Sequence, residues 1–421
     1  MRVSGTLKVP GDKSISHRSL ILSALSLGES RVTGILQSAD VHSTAAVLRS
    51  LGVDIPELSS DFVIRGVGRH GLKPPTSELD CGNSGTTTRL MSGVVAGCRA
   101  PMQATFVGDA SLSRRPMRRI ARPLEAMGAR VDLPEHGGLP MTIYGAKLHD
   151  IVWNNEIASA QVKSAVLLAA LVSGVKARVN EPTKSRDHTE RMLAARGAML
   201  EISELGVGFD ALDELHAIDT AVPGDPSSAA FFVALAALAD SGTIRLEHVC
   251  INETRTGFLK HLREMGAAVV EENCRAEGGE LVADVVISPA QLRPGLVTAR
   301  DVPSMVDEIP MLACLATRVD GETVVGGAGE LRVKESDRIT AVVSNLRAIG
   351  ADAEEMPDGM RIRGSKLPLS GRVVTHGDHR LAMAFGILGA ARGNDIQVDD
   401  PDCVGVSYPQ FWADLERVHT K

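Results

Sequence analysis

The chain has 421 residues, a length that predicts two domains because one hydrophobic core rarely grows so large. Its formal net charge of -7 and its isoelectric point of about 6.0 argue against a nucleic-acid-binding surface, which needs a basic field. Aromatic residues make up 3% of the chain, too few for the base-stacking platforms of single-strand-binding proteins. The composition therefore indicates a globular protein whose positive charges act locally.

Six cysteines are scattered along the chain without the close spacing of a metal site, so we expect reduced, mostly buried thiols and no metal. The first residues, Met1–Gly5, lack the apolar segment of a signal peptide. The apolar runs at 165–172 and 229–239 are too short to cross a bilayer. We therefore expect a soluble, cytoplasmic protein without a membrane partner.

The first motif, at residues 9–18, reads Val-Pro-Gly-Asp-Lys-Ser-Ile-Ser-His-Arg. Its proline and glycine end an opening strand, and Asp12 or Ser14 can cap a helix over about Ile15–Leu27. Apolar residues as far as Leu27 give that helix a buried side.

This helix start carries an ammonium, Lys13, and one turn later a guanidinium, Arg18. Free backbone N–H groups and the positive end of the helix dipole point the same way, which predicts an anion site. Solvated charges beside a plain cap are the alternative. A Walker A loop is disfavoured because Asp12 separates Gly11 from Lys13.

A helix that ends in glycine and is followed by a strand recurs five times, and glycine supplies the left-handed turn at little cost. The five glycines are Gly52, Gly128, Gly197, Gly266 and Gly350. Their spacing of roughly 70–85 residues fits a repeated α/β subdomain, and a second short strand follows most copies. Five copies predict six units, three in each of two domains, with the sixth unit less regular.

A domain break is predicted near Val222-Pro-Gly-Asp-Pro, ahead of an apolar helix over Ser228–Ala239. Asp225 and Ser227 are interpreted as caps of that helix. The two domains then comprise residues 12–224 and residues 1–11 plus 225–421. The opening strand rejoins the later domain, so the chain crosses twice at a hinge.

Three further helix starts in the first half combine small, hydroxyl and charged residues. Residues 80–89 read Asp-Cys-Gly-Asn-Ser-Gly-Thr-Thr-Thr-Arg, where Gly82 and Gly85 let a ligand approach the backbone and Arg89 is interpreted as structural. Residues 114–119 place four arginines around a proline. Ser159 and Gln161 open the next helix and can hydrogen-bond hydroxyls or phosphate. A plain capping loop or a solvated basic face is the alternative in each case.

The second half adds two charged helix starts and a carboxylate pair. Lys334 and Arg338 are four residues apart and are predicted to share a helix face, a surface ion-pair array being the alternative. Arg380 follows His-Gly-Asp-His in a first turn, where the helix dipole disfavours it and a ligand is indicated. Asp307 and Glu308 lie in an otherwise apolar segment and are candidates for acid/base chemistry.

Together these helix starts predict a protein that binds phosphorylated or carboxylated small molecules and closes its domains on them. In their order along the chain, the motifs resemble the 5-enolpyruvylshikimate-3-phosphate synthase family over essentially the whole length. The segments that carry the resemblance are Pro-Gly-Asp-Lys-Ser at 10–14, Gly-Asn-Ser-Gly-Thr at 82–86, Arg-Pro at 115–116, Ser-Ala-Gln at 159–161, Arg-Val-Lys-Glu-x-Asp-Arg at 332–338 and Asp-His-Arg at 378–380. Arg-Asp-His-Thr-Glu at 186–190 and Asn-Glu-Thr-Arg at 252–255 are similar to its second subclass.

The resemblance implies an α/β fold, a two-domain inside-out α/β barrel in which each domain has three βαβαββ repeats with buried parallel helices. It implies an active site in the interdomain cleft. The family transfers the enolpyruvyl group of phosphoenolpyruvate to the 5-hydroxyl of shikimate 3-phosphate. Phosphate leaves after addition and elimination through a tetrahedral intermediate, and no metal or organic cofactor takes part.

Site residues follow from the resemblance position by position, with residues 12–224 carrying mainly the shikimate 3-phosphate contacts and the other domain the acid/base and phosphoenolpyruvate contacts. The implied shikimate 3-phosphate contacts are Ser14, Arg18, Ser159, Gln161 and Arg186. The implied phosphoenolpyruvate contacts are Lys13, Gly85, Arg115, Arg338 and Arg380, with Lys334 between the two ligands. Further substrate-binding candidates are Asn83, Ala160 and His379. The implied catalytic residues are Asp307 as proton acceptor at the hydroxyl, Glu335 as proton donor at C3, and Lys13.

The sequence departs from the family pattern at two places. Many members have Lys-Thr-Phe-Pro near the C-terminus, where this chain has Val406-Ser-Tyr-Pro, and Ala160 replaces a serine. Glyphosate is an implied inhibitor; Gly85 is small, and tolerance stays open. A monomer is expected.

Two other functions are weighed. The sibling enolpyruvyl transferase that acts on UDP-N-acetylglucosamine has a catalytic cysteine near the position of Arg115, and residues 109–119 contain none. A non-catalytic module that binds phosphate ligands would have no use for Asp307 and Glu335.

Overall fold

The structure, a computed structural model, describes residues 1–211 and 214–420. Its helices are α1 Lys13–Leu25, α2 Ala39–Ser50, α3 Gly85–Gly97, α4 Ala110–Ser113, α5 Arg118–Ala126, α6 Ala160–Ser173, α7 His188–Ala194, α8 Pro226–Ala237, α9 Gly257–Glu264, α10 Val302–Met305, α11 Ile309–Ala316, α12 Arg338–Ala348, α13 His379–Ala390 and α14 Phe411–Val418. Two 3-10 helices cover Gly329–Val333 and Pro401–Val406.

The strands alternate with these helices along most of the chain. They are β1 Arg2–Leu7, β2 Ser26–Thr33, β3 Asp61–Val67, β4 Leu79–Asp80, β5 Gln103–Val107, β6 Arg130–Asp132, β7 Met141–Tyr144, β8 Ile151–Asn154, β9 Ala177–Asn180, β10 Leu200–Ser203, β11 Gly206–Phe209, β12 Leu215–His216, β13 Thr220–Ala221, β14 Ser241–Cys250, β15 Ala268–Glu277, β16 Glu280–Ser288, β17 Leu296–Val297, β18 Glu322–Val325, β19 Asp352–Met356, β20 Gly359–Arg363, β21 Ser370–Val373, β22 Asp395–Val398 and β23 His419–Thr420.

The chain forms two compact units. The N-terminal unit comprises Gly11–Val222 with Ala276–Glu280, and the C-terminal unit comprises Met1–Pro10, Pro223–Arg275 and Leu281–Lys421. The first strand belongs to the C-terminal unit because β1 pairs in parallel with β14. Residues 276–280 form the turn of the β15–β16 hairpin and group with the N-terminal unit, so the chain passes between the units more often than the two crossings we predicted.

The described residues form three sheets in each unit. Those of the N-terminal unit are β12-β2-β13 with β3 beside β2, β4-β5-β7-β6, and β10-β11-β9-β8. Those of the C-terminal unit are β15-β16-β14-β1-β23, β17-β18-β20-β19, and β21-β22. The alternation of helices and strands and the mixed pairing confirm the predicted α/β class with six repeats, and the two-stranded sheet belongs to the less regular one.

Helices rather than strands fill the centre of each unit. In the N-terminal unit α1, α3 and α6 are buried almost all round, and in the C-terminal unit α8, α11 and α13 are. Small residues allow this packing. A Cβ at Gly93 of α3 would lie 2.1 Å from the carbonyl oxygen of Ala165 in α6, and one at Gly97 would lie 2.6 Å from that of Ala169.

All five predicted helix-ending glycines have positive φ, between 88° at Gly52 and 103° at Gly128. A strand follows four of them, and the prediction is wrong for Val53–Ile55, which lies outside the strands. Pro56 follows this segment directly and has no backbone N–H to donate to a neighbouring strand.

The first helix, Lys13–Leu25, begins and ends two residues earlier than predicted. Asp12 caps α1 by accepting from the Ile15 amide at 2.9 Å. The helix ends at Leu25, and Leu27 lies in β2 with 49% of its surface exposed. Ser26 is the C-cap residue with an extended backbone, and both its amide and its hydroxyl donate to the Leu22 carbonyl.

All six cysteines are free thiols, four of them buried, as predicted. Among residues 1–211 and 214–420, no helix is both long and apolar enough to cross a membrane.

Candidate functional site

The two predicted cations at the start of α1, Lys13 and Arg18, differ in burial. Lys13 lies in the first turn, half-buried, and its ammonium forms an ion pair with Asp40 in the first turn of α2. Arg18 is buried one turn further along the helix. Its guanidinium donates to Thr189 Oγ1 at 2.7 Å, to Ser164 Oγ at 2.8 Å and to the Ser14 carbonyl at 3.0 Å.

The Arg18 guanidinium remains a cation at neutral pH although burial lowers its pKa to about 10. Glu190, Asp12 and Glu280 oppose that shift, and Arg186 adds to it, which places this second predicted contact in the same electrostatic neighbourhood. Arg186 is half-buried just before α7. The charges of these two predicted shikimate 3-phosphate contacts therefore act on each other.

A buried ion-pair network stabilises the segment that leads into α7. Lys163 of α6 donates to Glu181 Oε2 and contacts Glu190 Oε1, each at 2.8 Å, and all three side chains are almost fully buried. Ser185 donates to Glu181 Oε1 at 2.7 Å. Buried charges of this kind need such pairing, so the network fixes the loop that carries Arg186.

The loop before α3 joins three of the predicted site residues. Arg115 donates to Asn83 Oδ1 at 2.6 Å, and Asn83 donates to Asp109 at 2.5 Å. A Cβ at Gly85 would lie 2.7 Å from Arg89 Nη1 and 3.5 Å from Arg115 Nη1. Gly85 thus lies directly against two guanidinium groups, where a side chain would displace one of them.

Arg89 has a closer relation to the predicted site than its structural interpretation suggested. Its guanidinium donates to Gln161 Oε1 at 2.7 Å, and Gln161 donates to Thr86 Oγ1 at 3.1 Å. The amide of Gln161 is therefore oriented from both ends. Ser159 caps α6, which was the alternative to a ligand contact there, and Ala160 is the first residue of that helix.

In the C-terminal unit one guanidinium joins three carboxylates. Arg338 is buried at the start of α12 and donates to Asp378 Oδ2 and Glu335 Oε2, each at 2.8 Å, and to Asp307 Oδ1 at 3.3 Å. Burial opposes the cation, but these three carboxylates raise the pKa of Arg338 above its usual range. The predicted proton acceptor and donor are therefore held by the same side chain.

The buried carboxyl of Asp378 stays ionised for the converse reason. Burial alone would raise its pKa, but the adjacent Arg338 guanidinium holds the pKa below its usual value. Ser336 donates a further hydrogen bond to it at 3.0 Å. Asp378 also caps α13 by accepting from the Arg380 amide at 2.9 Å.

The predicted shared helix face of Lys334 and Arg338 is wrong. Lys334 follows the 3-10 helix Gly329–Val333 in an extended conformation, and α12 begins only after Asp337, which caps it by accepting from Thr340. The two cations nevertheless meet at Asp307, where the Lys334 ammonium lies 3.7 Å from Oδ1.

Ser227 is not a helix cap, contrary to its interpretation from sequence. It lies inside α8, and its hydroxyl donates to buried Glu308, the neighbour of Asp307. Asp225 does cap α8 and also accepts from Arg255 at 2.9 Å. The motifs around Asp225 and Arg255 thus belong to one buried polar cluster beneath the predicted acid/base segment.

Arg380 is buried at the start of α13, next to buried His379. Its guanidinium carbon lies 6.0 Å from the centre of the Phe231 ring, and its Nη1 is buried without a hydrogen-bond partner among residues 1–211 and 214–420. A buried guanidinium with an unused donor is costly unless an anion accepts from it.

The segment that replaces the family's Lys-Thr-Phe-Pro supplies a phenol. Tyr408 is fully buried, its ring packs 5.8 Å from those of Phe232 and Phe411, and its hydroxyl donates to Asp414 at 2.7 Å. The residues described contain no group of three or more His, Cys, Asp or Glu side chains that could hold a metal ion.

One buried histidine predicts a dependence of stability on pH. Burial, with the charges of Lys13 and Arg18, lowers the pKa of His17 to about 3, while Asp40 opposes the shift. Between pH 6.5 and pH 3 the imidazole binds a proton in the unfolded state, where its pKa is near 6.5, but not in the folded state. The stability that is present above pH 6.5 is therefore lost progressively as the pH falls toward 3. Urea denaturation should show that the free energy of unfolding falls by about 2 kcal/mol between pH 7 and pH 5. The variant His17→Asn should lack this decrease. An equal loss in the variant would contradict this assignment.

Comparison with known proteins bears on the whole chain. Residues 1–415 match the family model described as EPSP synthase (3-phosphoshikimate 1-carboxyvinyltransferase). The chain belongs to the EPSP synthase family. It is 49% identical to the 3-phosphoshikimate 1-carboxyvinyltransferase of Sulfurihydrogenibium sp. (strain YO3AOP1) over 99% of this chain and 97% of that relative. The protein of the same name from Persephonella marina is 47% identical at the same coverage.

Solved structures agree with this family assignment. An EPSP synthase structure from Acinetobacter baumannii is similar with a TM-score of 0.87 and 40% identity, over 99% of this chain and 96% of that one. The enolpyruvyl transferase NikO from Streptomyces tendae shares the fold at a TM-score of 0.76 and 16% identity. The family resemblance and the α/β fold predicted from the sequence are therefore confirmed.

Several side chains that organise the site were not assigned to it from the sequence. They are Asp40, Thr44, Arg89, Lys163, Ser164, Thr189 and Asp378. For Arg89, Lys163 and Ser164 the available signal was a charged or hydroxyl residue inside the buried helices α3 and α6, since polar groups within a buried helix need partners.

Proposed function

We propose that the chain catalyses transfer of the enolpyruvyl group of phosphoenolpyruvate to the 5-hydroxyl of shikimate 3-phosphate, with release of phosphate. The family match and the names of its relatives support this reaction. The observation that carries the assignment of groups is Arg380, a buried guanidinium with an unused donor at a predicted phosphoenolpyruvate position.

The N-terminal unit supplies cations and polar groups for the substrates. Arg18 and Arg186 are proposed to bind shikimate 3-phosphate with Ser14, Ser159, Ala160 and Gln161. Arg18 has neutral hydrogen-bond partners in Thr189 and Ser164, so its charge remains available to a phosphate. Lys13, Asn83, Gly85 and Arg115 are proposed for phosphoenolpyruvate; the ion pair of Lys13 with Asp40 orients its ammonium until that substrate binds.

The C-terminal unit supplies acid/base groups and further cations. In the addition step the 5-hydroxyl loses its proton and its oxygen bonds to C2 of phosphoenolpyruvate, while C3 gains a proton. In the elimination step C3 loses a proton and the bond from C2 to the phosphate oxygen breaks, which releases phosphate. We assign Glu335 to the C3 proton and Asp307 to the hydroxyl. Lys334 and Arg338 balance the charge of these carboxylates, and positive charge stabilises the departing phosphate. His379 and Arg380 complete the proposed substrate contacts.

The test is a phosphate-release assay with both substrates, coupled to detection of the enol ether product. Wild type should release phosphate only when both are present. Arg380→Met should raise the KM for phosphoenolpyruvate about 10- to 100-fold, because a charge-assisted hydrogen bond is lost. The exposed Arg372 of β21 provides the matched control, and Arg372→Met should leave that KM unchanged.

Two outcomes would contradict the proposal. Transfer to UDP-N-acetylglucosamine in place of shikimate 3-phosphate would favour the sibling activity, which the names of the curated relatives do not support. Binding of both substrates without phosphate release would indicate a non-catalytic module.

The proposal includes glyphosate as an inhibitor, a monomer as the active form and a cytoplasmic location. The family resemblance and the composition of the chain support these three points.

A further inference from the structure

A buried chain of hydrogen bonds joins three helices of the N-terminal unit. His17 Nδ1 lies 2.6 Å from Thr44 Oγ1, which lies 2.7 Å from Thr87 Oγ1. The Thr87 hydroxyl lies 2.7 Å from Ser84 Oγ, to which it can donate. All four side chains are fully buried. This row of hydrogen bonds therefore begins on α1, passes through α2 and ends at the N-cap of α3.

Both ends of this row of hydrogen bonds lie beside helix turns that carry proposed phosphoenolpyruvate contacts. His17 follows Lys13 by four residues on α1, and Thr44 follows Asp40 by four on α2, so each pair shares a helix face. The contact between His17 and Thr44 thus lies one turn inside the Lys13–Asp40 ion pair.

At the other end, Ser84 Oγ accepts from the Thr87 amide at 3.1 Å and so caps α3, whose first residue is Gly85. Apolar packing holds helices together without a fixed direction, whereas buried hydrogen bonds fix their relative rotation and translation. Two turns from different helices that contact one small ligand need that kind of directional link.

We infer that His17, Thr44 and Thr87 are positioning residues for phosphoenolpyruvate, which hold the Lys13 turn of α1 and the Gly85 turn of α3 in one geometry. The inference rests on the proposed transfer reaction, in which both turns contact that substrate. None of the three side chains needs to touch the ligand, since each acts through the turn it holds.

The link carries no charge of its own. Burial lowers the pKa of His17 to about 3, so the imidazole is neutral at any pH used for turnover. A neutral ring leaves the positive charge of this region to Lys13 and Arg18. The ring's Nε2 is buried without a hydrogen-bond partner among the residues described, so its contact with Thr44 orients it.

The experiment replaces the central hydroxyl by a methyl group of the same shape. Thr44→Val should raise the KM for phosphoenolpyruvate about tenfold, because a hydrogen bond that aligns the two turns is lost. The KM for shikimate 3-phosphate should change less than twofold. Thr44→Ser keeps the hydroxyl and should restore the wild-type KM. Thr317→Val is the matched control, because Thr317 is also buried and its hydroxyl donates back to the Cys314 carbonyl of its own helix, at 2.7 Å.

A second readout needs no substrate. Amide hydrogen exchange over residues 84–88 should speed up about tenfold in Thr44→Val and not in Thr317→Val. If Thr44→Val only lowered the melting temperature and left both the KM for phosphoenolpyruvate and this exchange unchanged, the inference would be overturned. If wild type failed to turn over, the proposed function would fail, and the exchange rates alone would decide the inference.

Discussion

Arg338→Met should lower the free energy of unfolding by about 3–5 kcal/mol and reduce kcat at least about 100-fold. The stability loss arises because Asp378 is fully buried and would lose the guanidinium that keeps it ionised. The activity loss arises because Glu335 and Asp307, which both contact the same guanidinium, would lose their common anchor.

Two companion variants separate these effects. Arg338→Met combined with Asp378→Leu removes both buried charges and should recover much of the lost stability, since an apolar pair can replace a buried ion pair. It should not recover kcat. Arg338→Lys keeps the charge without the planar fork and should fall between wild type and Arg338→Met in both measurements. Urea denaturation and steady-state kinetics measure the two quantities. Full activity in the double variant would show that Arg338 serves stability alone.

Glu335→Gln should reduce kcat about 100- to 10,000-fold with little change in fold. Glutamine keeps the shape and an oxygen that can accept from Arg338 Nη2, so the contact at 2.8 Å can persist. It cannot give or take a proton at C3. The Glu335 side chain is 28% exposed, which leaves it accessible to a ligand and limits the cost of losing its charge.

The kcat–pH profile provides the stronger test of this assignment. The limb set by the Glu335 carboxyl should disappear in the variant, whereas a purely structural defect would lower the whole profile without changing its shape. Glu354→Gln is the matched control because Glu354 forms an exposed ion pair with Arg361 in the same unit. Turnover by Glu335→Gln within a few-fold of wild type would remove Glu335 from the acid/base pair.

Local rules of the chain predicted the features that depend on neighbouring residues. Asp12 caps α1, and Gly52 and Gly350 end their helices with positive φ, because capping and left-handed turns depend on a few consecutive residues. The start of α12 was available by the same rule. Asp337 is a strong cap, and giving it priority over helical periodicity would have excluded Lys334 from the helix.

Contacts between distant segments could not be predicted in this way. Arg18 and Thr189 are 171 residues apart, and Ser227 and Glu308 are 81 apart, so nothing in the sequence around either member indicates the other. The resemblance supplied candidate ligand contacts but not their partners within the protein. The three carboxylates around Arg338 and the hydroxyls around Arg18 therefore emerged only from the fold.

The glycines that bring α3 and α6 together have a consequence for ligand selection. Gly93 and Gly97 hold the two helices in direct backbone contact, and Arg89 ties their leading ends through its hydrogen bond to Gln161. The Gly85 turn and the Ser159–Gln161 turn must then shift as one rigid block. An analogue whose acidic groups are spaced differently from those of the natural substrates cannot be accommodated by adjusting one turn alone.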